Sequence, residues 1–473
     1  MNFNIASIDR TKIPLSRLVL PMFIENIIRT SLMSVDQLML YAYSEKAVAA
    51  LGVVSQMSFF IQLVYMMVTM GASIHISQNL GAGNRKEAGL ISLGSFVLIG
   101  ILSIILSIST LFLAAPILRL FPLDTEVYQY AWQFLTIYGC GSVFMALNIV
   151  QAAILRSYGY PKDPMAVNAI ALAFTITGNA LCLFGPFGFP ILGVPGVAVV
   201  IVLSQFLALW IMHWRIQKHK DIEIPFKSII HIPKAVYKKI LEVGIPTAGE
   251  NISYNVSQIF ITNMIASLGT NALAAYSLVI TLSRYVFISG VSIGMGSQIK
   301  VGYFVGSGQY DDAYKKVYRY LGCGITISVV LVILLNLCKN PLIALFTENP
   351  HITAMASMVF LTSLFLEPAR SCNTILIPSL KGAGDVRFPV TIGILSMWLI
   401  GAGGAYFLGI HYGLGLLGIW IGMAIEEWFR CFVAFLRWRS GAWRNKCLVT
   451  QQLEKACTKE TDKPSPPPKR IAI

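Results

Sequence analysis

Runs of about 20 apolar residues alternate with short polar connections along this chain, and the alternation recurs twelve times. The runs cover approximately residues 14–40, 47–75, 89–115, 127–153, 165–185, 193–214, 241–267, 272–299, 318–338, 351–379, 388–409 and 415–436. Each is long enough to cross ~30 Å of hydrocarbon as a helix, the form in which one segment satisfies its own backbone polar groups. The pattern predicts an all-α polytopic membrane protein. The first run follows a polar stretch and lacks a small-residue cleavage site, so it reads as a retained helix and not as a removable leader.

The twelve elements are two copies of six. Pro21, Glu25, Asn26 and Ile27 recur as Pro246, Glu250, Asn251 and Ile252, and the same constant spacing carries Gly81-x-Gly83 onto Gly306-x-Gly308. Leu155-Arg156 falls on Leu380-Lys381 and Gly159 on Gly384 in that register, whereas Gly415-x-x-Gly418 follows Gly193-x-x-Gly196 at a slightly shorter spacing, so the second copy has lost a few positions in between. Each copy has an even number of spans, so both enter from one side and are related by an axis along the membrane normal. Expected units are an N-terminal lobe at 1–214, a partly helical linker at 215–240, a C-terminal lobe at 241–440 and a disordered tail at 441–473.

Composition agrees. The chain is 56% hydrophobic and 12% charged, where a soluble protein carries ~25% charge, and its mean hydropathy is +0.68. Of 36 Lys and Arg, 29 fall at the termini, in the even-numbered connections or, like Arg17 and Arg319, at the run ends beside them, and only Lys46, Arg119 and Lys339 lie in the odd connections. That asymmetry predicts a bacterial-type cytoplasmic membrane with both termini inside. It also accounts for the +14 net charge without a nucleic acid partner, since a basic face against anionic lipid is what orientation requires. The expected partners are the bilayer and small organic molecules, with the chain acting as a monomer. The eight cysteines show no ligand or disulfide spacing and read as packing residues. No P-loop, nucleophile elbow, catalytic triad spacing or His/Cys metal pattern stands out, so an enzyme is not expected and no cofactor is called for beyond a coupling ion.

Ionised groups in hydrocarbon cost several kcal/mol unless paired or hydrated, so the few inside the spans are the candidates. Glu25, Arg29 and Asp36 share one helical face in the first span. Glu25 with Arg29 reads as an ion pair, which leaves Asp36 to take up and release a proton or sodium ion. Asn179 and Thr175, four apart in the fifth span, have oxygens that can complete such a site. In the second copy Glu250 precedes a polar stripe of Asn251, Asn255 and Gln258, while Glu367 with Arg370 and Glu426 with Arg430 are helically spaced. Glu250 and Glu367 are further coupling candidates. Gln37, Asn255, Gln258, Arg284 and Arg370 are candidates for substrate contact, and the internal arginines raise the expectation of a carboxylate or phosphate on the substrate.

Several stretches resemble the multidrug and toxic compound extrusion family: Leu20-Pro21 with Val35-Asp36-Gln37, Ala47 through Gly52, Asn79-Leu80-Gly81-Ala82-Gly83-Asn84, Gly244-Ile245-Pro246, Gly269 through Ala275, and Gly384-Asp385-Val386-Arg387. The resemblance covers about 14–440. It implies a V of two six-helix lobes and export of organic, often cationic, compounds in exchange for protons or sodium ions, with a lipid-linked saccharide flippase of the same superfamily as the alternative. On that resemblance Asp36 and Asn179 match the family's polar positions. Thr175 departs from an asparagine, Tyr254 stands where several members have glutamate, and Arg370 where they have aspartate.

Overall fold

The computed structural model describes residues 9–188 and 190–449. Twelve long helices account for most of them: α1 Leu15–Tyr43, α2 Glu45–Gly81, α3 Arg85–Leu118, α4 Thr125–Ser157, α5 Lys162–Phe184, α6 Gly193–Lys218, α7 Lys234–Ser267, α8 Thr270–Gly306, α9 Tyr310–Leu337, α10 Pro350–Gly382, α11 Arg387–His411 and α12 Gly415–Arg439. Each contains one expected span, and most extend several residues past it into the polar connections. Ten are long and apolar enough to cross a membrane by length and composition alone. The other two, α7 and α12, carry the charged residues Glu250 and Glu426, Glu427 and Arg430. Elsewhere the outward faces are apolar, as with Ile101, Ile104, Ile105 and Ile108 along α3, which is the pattern for contact with lipid.

The two copies meet about a pseudo-twofold axis through reciprocal contacts. Gly81 of α2 lies against the Tyr303 carbonyl of α8 so closely that any Cβ would collide with it, and Gly306 of α8 lies equally close to the Gln78 carbonyl of α2. The repeat register carries Gly81 onto Gly306 and Gln78 onto Tyr303, so contact and counter-contact exchange, as a twofold demands. The Gly-x-Gly segments are turns, in which Gly83 and Gly308 take matching left-handed φ of 75° and 76° that favour glycine.

These approaches seal the end of the molecule that carries the chain start. There Arg10 Nη2 bonds Asp221 at 2.6 Å, Lys300 Nζ donates to the Thr11 carbonyl at 2.6 Å, and Gln78 Nε2 donates to the Gly382 carbonyl at 2.8 Å. The linker is shorter than expected because α6 and α7 extend to Lys218 and from Lys234, leaving one 3-10 turn, Phe226–His231, between them.

Three features depart from the sequence reading. Residues 441–449 are not a disordered tail: Trp443 is fully buried and stacked 4.2 Å from Trp438, and the Leu448 N–H donates to Gln78 Oε1 at 2.9 Å. Two large aromatic surfaces hold this stretch down despite its polar composition; the rest of the expected tail lies outside the described residues. Cys372 and Cys431, on α10 and α12, are joined as a disulfide and are not merely packing residues. Finally, α11 is wound wider over Met397–Ala402 and Tyr406–His411, as helices are where a residue is accommodated without breaking the ladder.

Candidate functional site

Between the lobes, in the half away from the sealed end, lies a cavity of about 880 Å³. Its walls come from α1, α2, α4 and α6 on one side and α7 on the other, and are apolar with scattered amides and hydroxyls. Asp36 is its one carboxylate. The candidates Gln37, Asn255 and Gln258 line it too, so the polar stripe of α7 faces Asp36 across the opening. Gln56, Gln62, Thr262 and Asn263 share this wall and were not anticipated from the sequence. Thr262 continues the Asn255 and Gln258 face by one further turn, which is the signal that could have found it.

Asn179 of α5 donates to Asp36 Oδ1 at 2.9 Å, and its own Oδ1 is buried with no hydrogen-bond partner among the described residues. Thr175 does not join them. Its hydroxyl donates to the Ala171 carbonyl and contacts Ser204 Oγ, each at 2.9 Å, so the shared helical face with Asn179 serves packing against α6.

Glu25 pairs with Arg156 of α4 at 2.8 Å and accepts from Asn168 of α5 at 2.9 Å, and not with Arg29 as its spacing suggested. Arg29 has no ion pair among the described residues. Glu250 pairs with Lys381 of α10 at 2.5 Å. It is therefore held by a cation inside its own lobe, away from the cleft lining. Glu367 is nearly inaccessible and bonds Arg370 at 2.7 Å; Arg370 also reaches Glu427 at 3.6 Å, and Arg430 bridges Glu426 and Glu427 at 2.8 and 3.2 Å. Arg370 is thus engaged by carboxylates of its own lobe. Arg284 is exposed on α8, has no ion pair among the described residues and is absent from the cleft lining.

At the repeat positions of Asp36 and Asn179 the second copy has neither an acid nor an amide. Ile261 occupies the repeat position of Asp36, and wherever the lost positions fall, the counterpart of Asn179 lies within Gly401-Ala402-Gly403-Gly404. The second lobe does bring an acid and an amide together elsewhere, with Asn373 donating to Glu427 at 2.7 Å, but there Arg370 and Arg430 also pair with the acid.

Two repeated lobes of spanning helices around a cleft with a single acidic side chain define a multi-pass membrane transporter. A family model described as MatE matches residues 21–181 and again 246–407. The chain is 37% identical over 426 residues to the uncharacterized transporter YisQ of Bacillus subtilis, covering 90% of this chain and 94% of that one. It is 28% identical over 443 residues to the probable multidrug resistance protein NorM of Thermotoga maritima, covering 93% and 94%. Among solved structures, one of a multidrug resistance MATE family transporter in an outward-facing conformation superposes with a TM-score of 0.83 at 20% identity, covering 91% of this chain and 96% of that one. The chain belongs to the MatE family.

Proposed function

We propose that this transporter is a secondary exporter, moving organic compounds outward across the cytoplasmic membrane in exchange for protons or sodium ions, with Asp36 as the group that binds and releases the ion. The observation that carries this is the Asp36 and Asn179 pair in the cleft wall: one carboxylate, one donated hydrogen bond at 2.9 Å, and a buried amide oxygen without a partner among the described residues. A carboxylate and an amide oxygen are the hard donors that a small cation takes, and a proton on Asp36 could be held by that same amide oxygen.

The lysine and arginine asymmetry supports a cytoplasmic position for the sealed end and, with it, a cleft that faces outward. In this state Asp36 takes an external ion. Neutralising the carboxylate removes its attraction for cationic compounds and alters the packing of α1 on α5, so the substrate leaves outward and the lobes can rock. Release of the ion on the cytoplasmic side restores the charged cleft. The apolar, amide-dotted wall suits organic compounds better than a saccharide on a polyphosphate, and a relative is named as a probable multidrug resistance protein, both of which favour the exporter over the flippase alternative. Uptake of a fluorescent compound by everted vesicles under separately imposed proton and sodium gradients tests the reading. Accumulation with one gradient and none without supports it; transport indifferent to both contradicts it.

A further inference from the structure

Resting on the exporter reading, we propose that the first lobe contains a carboxylate-binding subsite centred on Arg29, so that the substrates include amphipathic organic monoanions. The subsite is a second cavity of about 260 Å³ enclosed by α1, α2, α4, α5 and α6 and lined by Arg29, Arg156, Glu25, Gln62, Tyr138 and Gln205 among others. Its charges do not cancel. Glu25 Oε1 already accepts from both Arg156 and Asn168, and no further Asp or Glu lines the cavity. Two guanidinium groups against one carboxylate leave a single positive charge, and Arg29 is the one without a hydrogen bond or ion pair among the described residues.

Arg29 is exposed to this cavity and not packed against lipid, so water can hydrate it when the cavity is empty, and an anion that arrives from outside the chain finds a cation with no carboxylate to displace. The guanidinium fork is shaped for a carboxylate, which it binds through two parallel hydrogen bonds. One surplus charge matches a monoanion and would leave a phosphate dianion uncompensated. Gln205 accepts from Asn148 Nδ2 through Oε1 at 3.0 Å, leaving its amide N–H groups uncommitted among the described residues.

Size fixes the rest of the ligand. Drug-sized molecules occupy pockets of ~300–1,000 Å³, so the smaller cavity suits an acidic end and not a whole compound. It adjoins the 880 Å³ cleft, since Gln62 and Ile201 line both. A carboxylate at Arg29 can therefore belong to a molecule whose apolar body lies in the cleft. The internal arginines singled out in the sequence, Arg284 and Arg370, do not provide this site: one is absent from both cavity linings and the other is held by Glu367 and Glu427.

Titration calorimetry on the purified full chain in detergent, with 2-naphthoate as the probe and neutral 2-naphthylmethanol as its control, tests this. Wild type is expected to bind naphthoate at least tenfold more tightly than the alcohol. Arg29→Gln is expected to lose that margin while binding the alcohol unchanged, and Arg29→Lys to keep most of it. Equal binding of acid and alcohol by wild type, or undiminished naphthoate binding by Arg29→Gln, overturns the proposal. Should Arg29→Gln not fold, Gln205→Leu is expected to weaken naphthoate about threefold and leave the alcohol alone, and no change overturns the subsite. The exporter reading fails separately: Asp36→Asn that still responds to ion gradients sinks that reading whatever naphthoate does.

Discussion

Glu250 Oε2 accepts a hydrogen bond from Lys381 Nζ at 2.5 Å, and at the matching position of the first copy Glu25 accepts the same bond from Arg156 at 2.8 Å. Both pairs tie the first helix of a lobe to its fourth, α1 to α4 and α7 to α10. They differ in one respect: Asn168 also donates to Glu25, while its counterpart Gly393 leaves Glu250 Oε1 facing bare backbone. Breaking one partner of a buried pair costs ~3–5 kcal/mol because the other charge is stranded. Lys381→Met alone is therefore expected to lower the unfolding temperature in detergent by several degrees, and Lys381→Met with Glu250→Gln to recover much of the loss. Equal losses for single and double variants would show that the pair is not the cause.

Asn179 and Thr175 are separable. Asn179 holds the buried amide oxygen beside Asp36 that has no partner among the described residues, the ligand a metal cation would take, so Asn179→Leu is expected to weaken sodium binding at Asp36 by about tenfold or more, read as the sodium concentration for half-maximal transport. Thr175→Val removes a hydroxyl that serves Ala171 and Ser204, and that concentration is expected to stay within about twofold of wild type.

The reciprocal glycines make the sealed end sensitive to volume. Gly306→Leu is expected to force α8 off the Gln78 carbonyl and expose Cys447, which is buried with its thiol 3.8 Å from Gln78 Oε1. In a background lacking the other free cysteines, Cys447 should react with a polar maleimide in the variant and resist it in wild type. Gly81→Leu, its partner under the repeat, should do the same.

Trp443 anchors the segment after α12. A buried Trp→Ala change costs ~3–5 kcal/mol, so Trp443→Ala and truncation after residue 440 should both lower the unfolding temperature, which differential scanning fluorimetry would read.

What the sequence made legible follows from how each signal arises. Apolar runs marked all twelve helices because hydrocarbon imposes length and apolarity on a span, most clearly in the ten that charged residues do not interrupt as they do α7 and α12, and the repeat gave their pairing. Asp36 and Asn179 were legible because an acid and an amide inside a membrane have few other uses, and their meeting needs only adjacent helices. The ion pairs of Glu25 and Glu250 were present in the repeat, which carries both the acid and the base from one copy to the other in a single register. They were obscured because Arg156 and Lys381 fall next to connections and read as orientation charges, while Arg29 stood one turn from Glu25. Helical spacing shows which residues share a face, not which neighbouring helix supplies a better partner. The Cys372–Cys431 contact and the Trp438–Trp443 stack depend on tertiary packing alone and left no periodic trace.

Asp36→Asn in proteoliposomes separates ion coupling from substrate binding, with gradient-driven efflux and ion-free substrate counterflow measured on one preparation. The variant is expected to keep counterflow, showing an intact cleft, and to lose efflux driven by either a proton or a sodium gradient. Efflux that still follows an imposed ion gradient in that variant would contradict Asp36 as the coupling group.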